Sequence, residues 1–173
     1  EVIDYAGNYI YKKINSAPRT LEFLNHTEGY VQVDNGTYNY VYQYKDHWGN
    51  IRLSYTDSNN DATIDPATEI LREQNYYPFG LKHKGYNNVT SPNGNSTAQK
   101  WGYQGQEEHD ELGLNVNEFK NRFYDPSYGR FWSIDPLAED YAYNSTYAFA
   151  ENKLGMGMEL EGRELWGNDL IFA

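Results

Sequence analysis

The sequence predicts a mainly β chain built from antiparallel hairpins, and three observations predict it. Only 39% of its 173 residues are hydrophobic, yet 17% are aromatic, with 18 Tyr, 7 Phe and 4 Trp. Fifteen Gly, together with frequent Asn and Asp, place turn chemistry at close intervals. One segment, Tyr38-Asn39-Tyr40-Val41-Tyr42-Gln43-Tyr44, alternates strictly. Large rings with polar tips suit broad, half-wet sheet surfaces better than a helical core. A period of two marks a strand with one continuous aromatic face.

The turns set the order of the elements. Asp4-Tyr5-Ala6-Gly7-Asn8 leads into Tyr9-Ile10-Tyr11-Lys12, and Asp46-His47-Trp48-Gly49-Asn50 leads into Ile51-Arg52-Leu53-Ser54-Tyr55. In such a unit Asp accepts a hydrogen bond from the backbone two residues on. Gly supplies a positive φ, and the alternating run returns as a strand. Asp4, Gly7, Asn8, Asp46, Gly49 and Asn50 are therefore the expected repeat-turn residues. Asp125-Pro126-Ser127-Tyr128-Gly129-Arg130, before Phe131-Trp132, is a looser third instance. Thr20 to Phe23, Tyr30 to Val33 and Ile70 to Tyr76 are further strand candidates, the last ended by Pro78 and Gly80. The polar stretch Asn87 to Thr97 predicts a long mobile surface loop. Helix is sparse, with two turns expected over Ser145 to Lys153. The tyrosine face of residues 38–44 is expected to line an inner wall and pack against neighbouring hairpins.

Composition excludes several function classes. The formal net charge of -11 would repel a phosphate backbone, so no nucleic-acid partner is expected. The chain has no Cys, which removes disulfides and thiolate metal sites. No apolar run approaches the ~20 residues of a membrane-spanning helix. Glu1 to Gly7 read as the middle of a repeat and not as a signal peptide, and Ile171-Phe172-Ala173 ends without a stop signal. The expectation is a fragment of something longer.

Three segments carry a resemblance. They are Tyr44-Lys45-Asp46-His47-Trp48-Gly49-Asn50-Ile51-Arg52, then Tyr76-Tyr77-Pro78-Phe79-Gly80, then Arg122 through Leu137 with Tyr124, Asp125, Pro126, Gly129, Arg130, Phe131, Trp132, Asp135 and Pro136 as its core motif. In this order they resemble the Rhs repeat-associated core of bacterial polymorphic toxins, over nearly the whole chain. Asp135-Pro136-Leu137-Ala138-Glu139 and Tyr147-Ala148-Phe149-Ala150-Glu151-Asn152 are similar to versions found in Bacteroidetes. The resemblance implies a strip of YD-repeat hairpins curling into part of a β-cocoon shell, closed by a C-terminal core or plug. Residues 1–115 would be repeat hairpins, 116–164 the core, and 165–173 the start of a variable C-terminal region.

The implied function is a secreted, extracellular or cell-surface shell segment that encapsulates and delivers a C-terminal toxin in interbacterial competition. Implied partners are the tethered toxin, the remainder of the shell, a secretion system of type IX or type VI, and an immunity protein for the toxin; no cofactor is implied. The resemblance also implies an alternative, an aspartyl autoprotease that cuts the toxin free. Its candidate catalytic residues are Asp135, Asp125 and Arg130, because such chemistry needs two carboxyl groups with unequal protonation and a cation nearby. Asp-Pro and Gly-Arg are also good turn formers, and a buried Arg-Asp pair is a common staple. Autoproteolytic members place Arg immediately before this Asp, where Ile134 stands here, and an Asp-Pro where Glu159-Leu160-Glu161-Gly162-Arg163 stands. A third reading takes the tyrosine face as a carbohydrate- or surface-binding adhesin module. His26, His47, His83 and His109 show no ligand spacing, so no metal is expected from them. Asp57-Ser58-Asn59-Asn60-Asp61 with Asp65 has the oxygen density of a calcium loop but lacks its Gly and terminal Glu.

Overall fold

Each turn in the first part of the chain returns its strand beside the previous one. The computed structural model describes residues 1–34, 36–85, 91 and 93–167. Among these, β1 (Val2–Ala6), β2 (Tyr9–Lys13), β3 (Thr20–His26), β4 (Gly29–Asp34), β5 (Thr37–Lys45), β6 (Ile51–Tyr55) and β7 (Ile70–Glu73) form one sheet in sequence order. Pairing is antiparallel from β1 to β5 and from β6 to β7. The mainly β fold expected from the ring-rich alternation is the one observed. Two compact units interleave along the chain: Glu1–Tyr44 with Arg52–Glu73 and Asn87–Gln99, and Lys45–Ile51 with Gln74–Tyr86 and Lys100–Ala173.

In the first unit the buried face carries Ile10, Phe23, Tyr30 and Val41, each 1% exposed or less. Register explains the choice. Tyr30 pairs directly with Val41, which turns Val41 inward and puts the tyrosines of β5 on the opposite face. Phe23 meets Tyr30 edge-on at 5.6 Å. Gly29 admits no side chain, since a Cβ there would fall 2.1 Å from the Val41 carbonyl oxygen. On the other face Tyr42 stacks on Tyr55 at 5.7 Å. Tyr38, Tyr40 and Tyr44 stay 60%, 57% and 64% exposed, so of the expected packing against neighbouring hairpins the rings make Tyr42 on Tyr55 and a looser contact of Tyr40 with His26 at 6.3 Å.

Two local expectations are corrected. Asp4 is not a turn residue: it lies within β1 opposite Tyr11, its carboxylate 2.7 Å from Arg19, and the turn is Gly7-Asn8 alone. A two-residue connection closes this hairpin without a side-chain cap. Of the expected surface loop, residues 87–90 and 92 lie outside the described residues, while Asn95 and Thr97 are buried. Asn95 turns inward because its side chain has partners there. Its Nδ2 donates to Glu22 at 3.1 Å, and its Oδ1 accepts from the Thr97 and Ala98 amides at 3.0 Å each.

The second unit is built on rings. Strands β8 (Glu107–His109), β9 (Val116–Glu118), β10 (Phe123–Asp125) and β11 (Arg130–Phe131) pair in the order β11-β10-β9-β8, and β12 (Gly157–Leu160) pairs with β13 (Glu164–Gly167). Tyr103, Phe119, Tyr124, Phe131, Phe149 and Ala150 form a buried cluster, with Tyr76, Phe79, Leu154 and Leu165 against it. Tyr124 stacks on Phe149 at 4.0 Å, while Phe119 meets Phe131 edge-on at 5.6 Å. Each buried hydroxyl donates to a backbone carbonyl, Tyr124 to Phe79 at 2.7 Å and Tyr103 to Pro78 at 3.0 Å. Gly80, at φ +84, lies so close to the Tyr103 ring that a Cβ would sit 2.6 Å from it.

The helix expected over Ser145 to Lys153 is absent; a single 3-10 turn at Ala150–Asn152 replaces it. Ala148, Phe149 and Ala150 are consecutive and all buried, which a helix turning about 100° per residue cannot achieve on one face. Ala150, Glu151 and Asn152 take positive φ instead, at 45°, 50° and 58°. Glu164, near which the core is expected to end, lies within the β12–β13 hairpin, and Leu165, Trp166 and Gly167 after it pair with β12.

Candidate functional site

Arg122 follows Phe119 by one tight turn and precedes β10, so its side chain is drawn under the aromatic cluster. The side chain is 1% exposed, with its guanidinium 3.7 Å from the centre of the Phe131 ring. A cation held there needs partners on every side. Nη2 pairs with Asp135 Oδ2 at 2.8 Å and lies 3.8 Å from Glu159 Oε1. Nε donates to the Gly162 carbonyl, and Nη1 donates to the Thr146 carbonyl at 3.3 Å. Burial lowers the pKa of this guanidinium, and Asp135 and Glu159 pull it back up.

The two carboxyl groups are held differently. Asp135 starts a turn, accepting the Leu137 amide at 2.8 Å, and remains partly open to solvent. Glu159 projects inward from β12 with a side chain only 2% exposed. One of its oxygens accepts the Ala150 amide at 2.6 Å, and the other has no hydrogen-bond partner. Burial pushes Glu159 up to about 7, although the Ala150 amide and Arg122 draw it down. Near neutral pH this group exchanges a proton while sharing one guanidinium with Asp135. Such an arrangement can give a proton at one oxygen and take one at another.

The structure brings Asp135 to Arg122, not to Asp125 or Arg130. Asp125 accepts the Ser127 amide and hydroxyl, at 2.9 and 2.6 Å, and the Trp132 indole at 3.4 Å. That carboxylate is occupied in closing the turn through Pro126 to Gly129. Arg130 faces it in register across β10 and β11, but its side chain is exposed. Ile134, where the resemblance places Arg, is 61% exposed. Arg122 and Glu159 were missed as site residues. The available signal was a lone arginine set among Phe119, Phe123 and Tyr124, where a solvated cation is not expected.

The remaining motifs have structural roles. Asp46 accepts the Trp48 and Asn50 amides at 3.0 Å each and the Asn50 side chain at 2.9 Å; Gly49 takes φ +76. Asn50 in turn accepts the Gln104 amide at 2.8 Å, and Gln104 accepts the Glu159 amide at 3.0 Å, linking the first motif to β12. In the acidic loop, Asp57 accepts the Asp61 and Ala62 amides, and Glu69 accepts from Ser58 and Asp65. These amides hold Glu69 below the usual carboxylate range. Among the described residues no group of three or more His, Asp or Glu is arranged to hold a metal ion, and no helix is long and apolar enough to cross a membrane.

No protein-family model matches the chain. It is similar to salivary gland surface protein 1 of Aedes aegypti, 26% identical over 174 residues, which is 86% of this chain and 5% of that protein. Among solved structures it is similar to TcdB2-TccC3 without the hypervariable C-terminal region, with a TM-score of 0.65 and 17% identity over 92% of this chain and 7% of that one. TcdB2-TccC3 itself gives a TM-score of 0.64 and 18% identity, over 92% of this chain and 8% of that one. The chain thus spans less than a tenth of each of these proteins. What it shares with the solved structures is an Rhs-like β fold.

Proposed function

We infer that the chain is a segment of a secreted Rhs shell that encloses a polypeptide toxin and carries it to another cell. The observation that carries this reading is the fold it shares, along 92% of its length, with TcdB2-TccC3, a protein with a hypervariable C-terminal region. The exposed ring stripe Tyr38, Tyr40 and Tyr44 supports it: rings give apolar contact, and hydroxyls bond a guest backbone without a pocket that selects one sequence. On this reading the partners are the tethered toxin, the rest of the shell, a secretion system and an immunity protein. The test places a photo-crosslinking residue at Tyr40 in the full-length protein. Crosslinks to the tethered C-terminal toxin are expected. Labelling of surface glycans instead, with glycan binding lost in Tyr40→Ala, would overturn the carrier role in favour of an adhesin.

The two carboxyl groups held on Arg122 favour a second role, release of the cargo by self-cleavage. In this step Asp135 takes a proton from water, whose oxygen attacks a backbone carbonyl carbon in the 162–164 region. Protonated Glu159 then gives its proton to the departing amide nitrogen, leaving a carboxylic acid and an amine. Arg122 already donates to the Gly162 carbonyl and would stabilise charge on that oxygen. Mass spectrometry of the full-length protein should find a new N-terminus between residues 162 and 165, absent in Asp135→Asn and in Glu159→Gln. Full-length protein that is never processed would end this role and leave the carrier role untouched.

A further inference from the structure

Among the described strands, β12 and β13 pair only with each other. A lone hairpin is marginal in water, so its attachment to the second unit decides whether it stays closed. Leu165 packs against the ring cluster, but Leu160 and Trp166 are exposed. Polar anchors therefore carry much of the attachment. At the turn, Asn121 donates its amide and its Nδ2 to the Glu161 carbonyl at 3.1 and 2.7 Å, and Arg122 donates to that of Gly162. Along β12 the one buried residue is Glu159. A carboxyl group fills the inward position that an apolar side chain would normally take.

The surroundings of Glu159 favour its neutral form. Arg122 faces it at 3.8 Å, but that guanidinium is already claimed by Asp135 at 2.8 Å. Negative charge acts on it from two other segments, through Asp135 after β11 and Glu151 in the 3-10 turn, the latter paired with Lys153 at 2.7 Å. Tyr124 of β10 and Gln104 add only neutral groups. One carboxyl oxygen has no hydrogen-bond partner, so ionisation leaves charge unshared and away from water. We propose that Glu159 makes the hairpin a proton-operated latch, closed while the carboxyl group is protonated and loosened when it ionises. Opening carries Glu159 into water, while Arg122 keeps Asp135 and the Thr146 carbonyl, so the ring cluster stays shut. The folded value of about 7 lies above the ordinary 4.5. The closing contribution is thus complete below about 4.5 and lost as pH rises through about 7. The latch needs neither cargo nor cleavage, so it stands or falls apart from both roles.

Hydrogen–deuterium exchange of the full-length protein tests this, with peptides covering residues 157–167 compared with peptides covering β9 and β10. After correction for intrinsic exchange, the hairpin should open about tenfold more at pH 8 than at pH 6, and change little more by pH 9. The β9 and β10 amides should exchange more slowly than the hairpin at both pH values. Glu159→Gln should remove the pH dependence and keep the hairpin as protected as it is in acid. Equal protection of the unaltered hairpin at pH 6 and pH 8 would overturn the latch. So would a pH dependence that persists in Glu159→Gln, or a hairpin that opens only together with β9 and β10. A peptide spanning residues 157–167 comes only from uncleaved chains, so self-cleavage does not enter the reading.

Discussion

Tyr40 on β5 and Tyr124 on β10 are the same residue type in short antiparallel strands, yet the first is 57% exposed and the second fully buried. Around Tyr124 the backbone of Phe79 offers a carbonyl at 2.7 Å, so the hydroxyl enters the core with its hydrogen bond already made. Burial then drives that hydroxyl's pKa well above its ordinary range. On β5 the neighbour Val41 pairs with Tyr30 and takes the inward position, leaving the Tyr40 hydroxyl outside. An aromatic stripe in sequence therefore locates a face without saying which way it looks. The direction is set by where the hydroxyl can be satisfied and by which neighbour fills the core.

The largest expected effect tests that contrast at its buried end. Tyr124→Ala removes a ring that touches Tyr103, Phe119, Phe131 and Phe149, and should destabilise the chain by about 3–5 kcal/mol in denaturant unfolding. A loss below about 1 kcal/mol would show that the ring cluster is not the core of the second unit. Arg122→Leu comes next. It keeps the apolar stem but leaves Asp135 and Glu159 facing each other without their shared cation, at a cost of about 3–5 kcal/mol above neutral pH. The loss should shrink in acid, where Glu159 takes up a proton. An equal loss at both pH values would mean that packing under Phe131, not charge, is what Arg122 supplies.

Much of the fold was legible before coordinates, and the physics of the misses is specific. Strict alternation over Tyr38 to Tyr44 and the turn residues Gly7 and Gly49 were enough to place hairpins, because period and turn chemistry are local. Asp46 caps its turn through its own side chain, whereas Asp4 does not, although the two segments read alike. The difference is a long-range one, since Arg19 claims Asp4. The site was half legible. Asp135 was found through its motif, but Asp125 and Arg130 were grouped with it by proximity in sequence. In space a turn consumes Asp125, and the cation comes from Arg122, thirteen residues before Asp135. Glu159 reaches the site only because β12 brings it there, which no local pattern states.

Glu159→Gln is a smaller and sharper test of the second unit. The folded value of about 7 stands above the ordinary 4.5, so between these values the folded chain keeps a proton that the unfolded chain has released. The stabilising contribution is fully present below about 4.5 and is lost as pH rises through about 7. Glutamine accepts the same Ala150 amide and never ionises. The variant should match the parent within about 0.5 kcal/mol near pH 4 and exceed its stability by roughly 3 kcal/mol at pH 8. Parallel stability–pH curves for the two proteins would show that Glu159 ionises in the folded state as readily as in the unfolded chain.

Tyr40→Ala has the smallest expected effect on stability, and that smallness completes the contrast. The ring is more than half exposed, and its contact with the His26 ring is a loose one at 6.3 Å. Removing it should change unfolding free energy by no more than about 0.5 kcal/mol. A residue that contributes so little to its own fold, on a strand that carries four tyrosines at alternate positions, is kept exposed at no benefit to the monomer. If Tyr40→Ala cost as much as Tyr124→Ala, the outward face would be structural and its availability to a guest would be lost as an argument. If it leaves unfolding unchanged but abolishes crosslinking from the adjacent Tyr38 position to cargo, the stripe acts on what lies outside the sheet.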